Sequence, residues 1–283
     1  MRFTLVDSLS LPGNPKKAND DAFGFREQAA VVLDGATGLG EPLMPGPSDA
    51  AWLARFGANR LMSYLGEGAS AQEAVTASLF DAQTSFEQLR RRAPVERYET
   101  PFASLMLAVA HDISLEFLWY GDCAAIVGFA DGRVEIVGEA IEKRRRESAR
   151  VKRLAESKGE MAAAVSVRED FLPALRAARN TVNTEKGGYL FGPEAIAADH
   201  ARTQRVDSAA GMHVLLVSDG FLALASDYGK YDVPGLLGAA IAKGLPELGR
   251  ELRAVEETDP DGRAFPRFKK SDDATAVLLK LDA

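Results

Sequence analysis

The chain has 283 residues, of which 46% are hydrophobic and 27% are charged, and its formal net charge is −7. This composition is typical of a globular protein, and no window approaches the eighteen consecutive apolar residues of a membrane span. The negative charge argues against binding to nucleic acid or anionic membranes, which depends on Lys and Arg. With one cysteine, Cys123, and no signal-peptide pattern at the amino terminus, we expect a cytoplasmic monomer.

Apolar runs and helical spacing both occur in the first hundred residues. A loop rich in Gly and Pro precedes the first helical segment, and Ser48 is a suitable N-cap for it. The predicted elements are strands over 3–8, 22–25 and 29–33, followed by helices over 49–65 and 71–92.

The spacing of apolar residues changes from helical to strand-like in the middle of the chain. Four apolar stretches between 102 and 137, separated by the turn-like sequences HD, GD and ADG, predict sequential antiparallel strands in a meander. The Gly-rich segment 181–207 is predicted to be an inserted flap, in which Tyr189 and Phe191 either anchor the flap to the core or contact a substrate. Helices are expected over 139–157 and 168–180.

The last part of the chain contains a buried strand over 212–217, helical segments between 233 and 257, and a closing strand over 274–281. Runs of strands separated by helices predict sheets covered by helices, an α+β fold, rather than an alternating parallel fold. We expect one domain over 1–283.

Aspartates fall at the ends of four separate apolar runs. Each aspartate alone is an ordinary turn residue, but strand ends in neighbouring sheets can bring all four positions to one edge of the core. Carboxylates gathered there would repel one another unless cations were bound, and oxygen ligands favour Mg²⁺ or Mn²⁺ over zinc. The positions are Asp34 in VVLDG, Asp219 in LLVSDG, the pair Asp20 and Asp21 before AFGF, and the pair Asp272 and Asp273 before ATAVLL.

The chemistry that such a site supports is hydrolysis of a phosphoester. Two cations a few ångströms apart lower the pKa of a bridging water and stabilise an in-line displacement at phosphorus. The three histidines, His111, His200 and His213, stand apart in the sequence and supply no zinc or iron site.

The blocks NDDAFGF, VVLDGATG, GDCAAIV, LLVSDGF and DDATAVLL resemble, in this order, those of the type 2C metal-dependent serine/threonine protein phosphatases, with the closest likeness to bacterial members. The resemblance spans about 16–279. It implies a four-layer α-β-β-α sandwich of two antiparallel sheets flanked by helices, with two Mn²⁺ or Mg²⁺ ions in a cleft at one end of the sheets. It also implies a phosphorylated protein as the substrate.

The resemblance also implies roles for individual residues. Asp34 matches the aspartate that bridges both metals, and Gly35 matches the glycine whose carbonyl binds one of them. Asp219 and Asp272 match the remaining direct ligands of the second metal.

Other matched positions have secondary roles. Asp20 and Asp21 match an acidic pair that acts mainly through metal-bound water, and Asp122 matches an aspartate that holds a weaker third metal with Asp219. Asp273 stands where many relatives have Asn and therefore ranks below Asp272.

Two positions depart from the family pattern. Ala36 stands where eukaryotic members often have a histidine that acts as general acid, so the leaving-group proton must come from elsewhere or from water. Lys16 stands where a phosphate-binding arginine is common, and lysine binds phosphate without the bidentate fork.

Two other phosphatase classes fit the sequence poorly. A haloacid dehalogenase-type enzyme needs a nucleophilic aspartate where this chain has Val32, and a cysteine-dependent phosphatase needs an arginine at Phe129. Cys123 is better explained as a small buried strand residue. Two alternatives stay open: a catalytically silent phosphatase-like domain that binds a phosphorylated partner, and a phosphatase that acts on a small metabolite.

Overall fold

The computed structural model describes residues 1–141, 143, 168–265, 267 and 269–283. Ten strands in these residues form two five-stranded antiparallel sheets. Sheet one contains, in spatial order, β1 (Arg2–Leu11), β10 (Ala274–Asp282), β9 (His213–Val217), β6 (Ala124–Gly128) and β7 (Val134–Val137). Sheet two contains β2 (Asp21–Arg26), β3 (Ala29–Gly35), β4 (Ala103–Ala110), β5 (Ser114–Tyr120) and β8 (Arg202–Asp207).

The two sheets pack face to face over an apolar core. Alternate residues of each strand point into this core, as the period of two in a strand requires. Fully buried members from both sheets are Val32, Met106, Phe117, Val214 and Leu279.

Helices cover the outer faces of both sheets. On sheet two, α1 (Asp49–Gly66) and α2 (Ala71–Leu89) bury apolar residues against β3 and β4. On sheet one, α4 (Asp219–Ser226), α5 (Val233–Lys243) and α6 (Leu245–Thr258) bury a second apolar cluster. A further helix, α3 (Arg168–Arg179), lies between β7 and β8 in the chain. The predicted α+β sandwich of two antiparallel sheets flanked by helices is therefore confirmed.

The N-cap prediction is also confirmed. The backbone of Ser48 is extended, and its hydroxyl accepts a hydrogen bond from the amide of Ala51 at 3.2 Å. This cap fixes the start of α1 at Asp49, directly after the loop that follows β3.

The four strands predicted between 102 and 137 are present, but the prediction of one continuous meander is wrong. β4 and β5 belong to sheet two, whereas β6 and β7 belong to sheet one. Residues 121–123 carry the chain from one sheet to the other, and Gly121 has a φ of +71°, which favours glycine. Apolar periodicity identifies strands without showing which sheet each one joins.

The predicted flap over 181–207 is shorter than expected, because Arg202–Asp207 form the edge strand β8, which pairs with β5. The polar sequence RTQRVD gives no apolar strand signal, since most of its side chains are exposed. The helix predicted over 139–157 lies mostly outside the described residues, whereas the helix predicted over 168–180 corresponds to α3.

The segment between α3 and β8 is anchored by the two aromatic residues that the sequence singles out. Phe191 is fully buried and exchanges backbone hydrogen bonds of 2.8 and 3.0 Å with Ala103 of β4. The ring of Tyr189 stacks on His200 with centroids 3.4 Å apart. Phe191 therefore ties this segment to β4, and Tyr189, whose ring partner His200 lies in the same segment, packs against the apolar cluster between sheet two and its helices. No helix in the described part of the chain is long and apolar enough to cross a membrane.

Candidate metal-binding active site

Strand pairing brings the first group of predicted aspartates together. Asp21 at the start of β2 is directly opposite Asp34 near the end of β3, and Asp34 is opposite Ser104 of β4. These three side chains therefore follow one another across the end of sheet two. Asp122, in the connection from β5 to β6, accepts a hydrogen bond from the hydroxyl of Ser104 and extends this row toward sheet one.

The second group comes from sheet one. Asp219 begins α4 directly after β9, and Asp272 lies two residues before the neighbouring strand β10. A Cβ at Gly220 would lie 2.0 Å from the carbonyl oxygen of Asp273, so only glycine permits this approach. The Asp-Gly sequence thus brings the start of α4 against the turn that carries Asp272.

Gly35 has a comparable role beside Asp34. A Cβ at this position would lie 2.6 Å from the carbonyl oxygen of Asp20 and 2.8 Å from that of Ala50. The missing side chain therefore lets β3, the start of α1 and the residue before β2 pack closely.

A cavity of about 380 Å³ lies where these strand ends meet. Five of the predicted metal-site residues line it: Asp34, Gly35, Asp122, Asp219 and Asp272.

The other predicted site residues lie outside this lining. Asp21 is buried beneath the cavity, opposite Asp34, and Asp20 is half-buried and accepts a hydrogen bond from Ser48 at 2.5 Å. Lys16 lies in an exposed turn, where its amide donates to Asn14 at 2.9 Å. Its predicted contact with phosphate stays a prediction.

Burial and mutual repulsion act on the carboxylates at the end of sheet two. Burial raises the pKa of Asp34 well above its usual value, and the charges of Asp21, Asp219 and Asp272 raise it further. Burial likewise raises the pKa of Asp21, and Asp273 adds to the effect, while the nearby Ser218 hydroxyl opposes it. The burial of Asp20 raises its pKa as well.

Asp21 is the residue whose position is hardest to explain without a cation. Both of its carboxylate oxygens are buried, and neither accepts a hydrogen bond of ordinary geometry from a described residue. The hydroxyls of Ser218 and Thr275 lie near enough only to oppose the rise in its pKa. A buried acceptor without a partner costs about 1–3 kcal/mol, and more when it is charged. A nearby divalent cation with its bound water would compensate for this cost.

Two lysines that the sequence analysis did not identify also line the cavity. The ammonium group of Lys143 is 2.8 Å from Oδ2 of Asp122, and that of Lys269 is 2.6 Å from Oδ1 of Asp272. No spacing signal predicts the first pair, because Lys143 comes from beyond β7. The second pair is separated by three residues, and the sequence alone does not distinguish Lys269 from its neighbour Lys270.

The residues fit a divalent cation in chemistry and charge but are not fully gathered around one point. In the described part of the chain, no three Asp, Glu, His or Cys side chains form a group ready to hold a metal ion. The ammonium groups on Asp122 and Asp272 neutralise two carboxylates of the predicted set. Metal binding there would therefore require these side chains to rearrange.

Asp273, which the sequence ranks below Asp272, has a structural role. Its Oδ1 accepts a hydrogen bond from the amide of Gly13 at 2.6 Å, and its Oδ2 accepts one from the amide of Asp20 at 2.7 Å. The side chain thus ties the connection between β1 and β2 to the start of β10.

Ala36 and Cys123, which the sequence predicts to have no catalytic role, both lie near the aspartates. Ala36 lines it, so the position that carries histidine in eukaryotic relatives supplies no acid here. Cys123 is fully buried, and burial together with the charges of Asp34 and Asp122 raises the pKa of its thiol well above the usual value. A thiol in this state is a poor nucleophile, as the interpretation of Cys123 as a structural residue requires.

Together the two sheets, their helical layers and the acidic cavity define the fold of the PPM, or type 2C, protein phosphatases. The serine/threonine phosphatase PstP/Ppp of Mycobacterium tuberculosis matches with a TM-score of 0.60 and 14% identity over 100% of both chains. The catalytic domain of PstP in complex with two manganese ions matches with a TM-score of 0.56 and 14% identity, over 100% of this chain and 99% of that one.

The serine/threonine phosphatase Stp1 of Staphylococcus aureus is another similar structure. It matches with a TM-score of 0.56 and 14% identity over 99% of this chain and 96% of that one. No protein-family model matches the sequence, and no curated protein matches it. The family that the sequence blocks resemble is therefore the one whose members share this fold.

Replacing Asp21 with Asn should stabilise the metal-free protein at neutral pH. Because the pKa of Asp21 is raised by folding, its contribution to stability is lost as pH rises from the unfolded value, about 3.9, through the folded value. Asparagine carries no charge, so the substitution removes this destabilisation. The free energy of unfolding at pH 7 should rise by about 1–3 kcal/mol. Urea unfolding in chelator at pH 7 and pH 4 measures it, with a larger gain expected at pH 7. Asp207→Asn, on the exposed edge of β8, is the control, and an Asp21→Asn protein no more stable than it would contradict the prediction.

Replacing Asp273 with Ala should destabilise the protein by about 2–3 kcal/mol, because two backbone amides lose a charged acceptor. Asp273→Asn keeps one acceptor oxygen and should lose less. Urea unfolding of both variants, with Asp207→Ala on the exposed edge of β8 as control, tests the order of stabilities. Equal stability of Asp273→Ala and the control would show that this connection contributes little.

Proposed function

We propose that this chain is a metal-dependent phosphatase that hydrolyses phosphoserine and phosphothreonine on proteins. The observation that carries the proposal is the pair of buried carboxylates Asp21 and Asp34, opposite one another at the end of sheet two. Asp219 and Asp272 approach them from sheet one and raise the pKa of Asp34 further. Such an arrangement is costly without a cation and suited to binding one.

The proposed metal-binding residues are those that the sequence resemblance implies. Asp34, Asp219 and Asp272, with the carbonyl of Gly35, would hold two Mn²⁺ or Mg²⁺ ions. Two such ions, when bound, offset the negative charge of the phosphoryl group and make a water molecule a better nucleophile. The manganese complex of the PstP catalytic domain supports this assignment for the shared fold.

The remaining aspartates would complete the site. Asp20 and Asp21 would orient water, and Asp122, which faces the cavity beside Ser104, would contribute to a weaker third position.

The cavity also contains groups suited to the phosphoryl group. Lys143, Arg179 and Lys269 line it and carry positive charge toward the carboxylates. We assign neutralisation of the phosphate oxygens to these groups, and the contact of Lys16 with phosphate stays a prediction from the sequence. Because Ala36 supplies no proton, we assign protonation of the leaving group to water.

A protein substrate is favoured over a small metabolite by the wall of the cavity. Leu175 of α3 and Val182 and Leu190 of the segment after it line one side, together with Leu39 of the loop between β3 and α1. Apolar side chains at this position can pack against residues that flank a phosphorylated serine or threonine. The serine/threonine phosphatases that share the fold support the same class of substrate. We also retain the cytoplasmic, monomeric state inferred from the sequence as part of this proposal.

A specific observation favours one rival function. The ammonium groups of Lys143 and Lys269 already neutralise Asp122 and Asp272, as cations would in a catalytic site. A domain with these pairs permanently in place would bind a phosphorylated partner without hydrolysing it. Purified protein without turnover in either metal, but with measurable affinity for a phosphothreonine peptide, would favour this rival.

Replacing Asp34 with Asn should reduce metal-dependent hydrolysis by roughly a hundredfold or more, since the central carboxylate of the site is lost. The assay uses metal-stripped protein, p-nitrophenyl phosphate and a phosphothreonine peptide, with Mn²⁺ or Mg²⁺ titrated back. Faster turnover of the peptide than of the small ester would support a protein substrate.

The matched control is Asp131→Asn, which removes an exposed carboxylate in the turn between β6 and β7. It should leave both rates unchanged. Near-normal hydrolysis by folded Asp34→Asn would show that Asp34 is not the central metal ligand.

A further inference from the structure

The loop between α6 and β10 is built around one buried ion pair. The carboxylate of Asp259 accepts hydrogen bonds from the backbone amides of 263–265 at 2.8–3.2 Å. Arg267 donates to the same carboxylate at 2.9 Å, and the two side chains are only 10% and 11% exposed. Arg267 also donates to the carbonyl of Lys270 at 2.9 Å. These contacts give the described residues of the loop, 259–265, 267 and 269–270, a defined conformation around Lys269.

That conformation directs the Lys269 side chain into the cavity. Its ammonium group lies 2.6 Å from Oδ1 of Asp272 and 2.8 Å from the hydroxyl of Thr37, which follows β3. Asp34 and Asp219 line the same cavity. The Lys269 side chain thus reaches across the cavity and contacts Asp272 on one side and Thr37 on the other.

The contact occupies one of the two oxygens through which Asp272 could bind a metal. Oδ1 of Asp272 accepts from Lys269 at 2.6 Å and from the amide of Asp273 at 3.0 Å. A carboxylate oxygen has two lone pairs, so both are used in this arrangement. A divalent cation bound to the same oxygen would also lie within a few ångströms of the ammonium charge and be repelled by it.

We propose that Lys269 is a built-in cation that competes with metal for Asp272, so that metal enters this position only when the ammonium group leaves. This inference rests on the proposed function for the identity of the site, but it concerns metal affinity and not turnover. Its consequence is that the position involving Asp272 fills at a higher metal concentration than the carboxylates alone would require.

The test measures Mn²⁺ binding by isothermal titration calorimetry on the full chain. Lys269→Met keeps the length and apolar stem of the side chain and removes its charge. Loss of one ammonium charge next to the site should increase Mn²⁺ affinity on the order of tenfold or more. The shift in melting temperature caused by Mn²⁺ should increase in parallel.

The matched control is the adjacent lysine. The ammonium group of Lys270 lies 3.7 Å from Glu257 rather than in the cavity, so Lys270→Met should leave Mn²⁺ affinity within about twofold of the original. Lys269→Arg keeps the positive charge, so this variant should bind Mn²⁺ as weakly as the original protein. Thr37→Val removes the second acceptor of Lys269 and, by loosening the side chain, should strengthen Mn²⁺ binding in the same direction even if Lys269→Met folds poorly.

The outcomes separate this inference from the proposed function. Mn²⁺ affinity that is the same in the original protein, Lys269→Met and Thr37→Val overturns the competition, even if the original protein hydrolyses phosphoesters. Tighter binding in both variants without hydrolysis by any of them supports the competition and contradicts the phosphatase assignment. Absence of Mn²⁺ binding in every variant overturns both.

Discussion

Repulsion among carboxylates is the constraint on which the site depends. Antiparallel pairing places Asp21 directly opposite Asp34, and both are buried at the end of sheet two. Neither can move away, because each is near the end of a strand whose neighbours fix its register. The fold therefore holds carboxyl groups in an arrangement that is unfavourable when they are ionised, and either protonation or a nearby cation relieves it.

The protein meets this requirement partly with its own cations. Lys143 pairs with Asp122, and Lys269 pairs with Asp272, so two of the carboxylates around Asp34 carry an ammonium partner. The Asp21 carboxylate is different, because it is only 3% exposed and accepts no hydrogen bond of ordinary geometry from a described residue. The two lysines thus neutralise Asp122 and Asp272, whereas the buried Asp21 carboxylate has no cation paired with it among the described residues.

Local sequence signals predicted the parts of this arrangement that depend on neighbouring residues. An apolar run that ends in Asp-Gly places Asp34 and Asp219 at strand ends, and the glycines after them are required by backbone approaches shorter than 3 Å. The cap at Ser48 follows from the same kind of local preference. These features are fixed by a few adjacent residues, which is why periodicity and turn chemistry were sufficient to find them.

Strand pairing and contacts between residues far apart in the chain could not be predicted from the sequence. The change of sheet at residues 121–123 depends on which strands pair, and β8 is a polar edge strand without an apolar signal. The distinction between Asp272 and Asp273 likewise depends on distant groups. Asp273 holds the amides of Gly13 and Asp20, whereas Asp272 faces the cavity. Adjacent aspartates in the turn before β10 thus make different contacts, because each faces a different part of the fold.

The same cavity combines two kinds of surface, and this combination limits what can bind there. Its floor is formed by carboxylates and ammonium groups, whereas one side is formed by apolar residues such as Leu39 and Leu175. This side is held in place, since Arg176 donates to the carbonyl of Leu39 at 2.9 Å and lies over the ring of Tyr98. A small phosphorylated metabolite would leave the apolar side exposed to water, whereas a phosphorylated peptide can cover it with a neighbouring side chain. The energetic advantage of covering that wall is therefore the physical argument for the protein substrate that we propose.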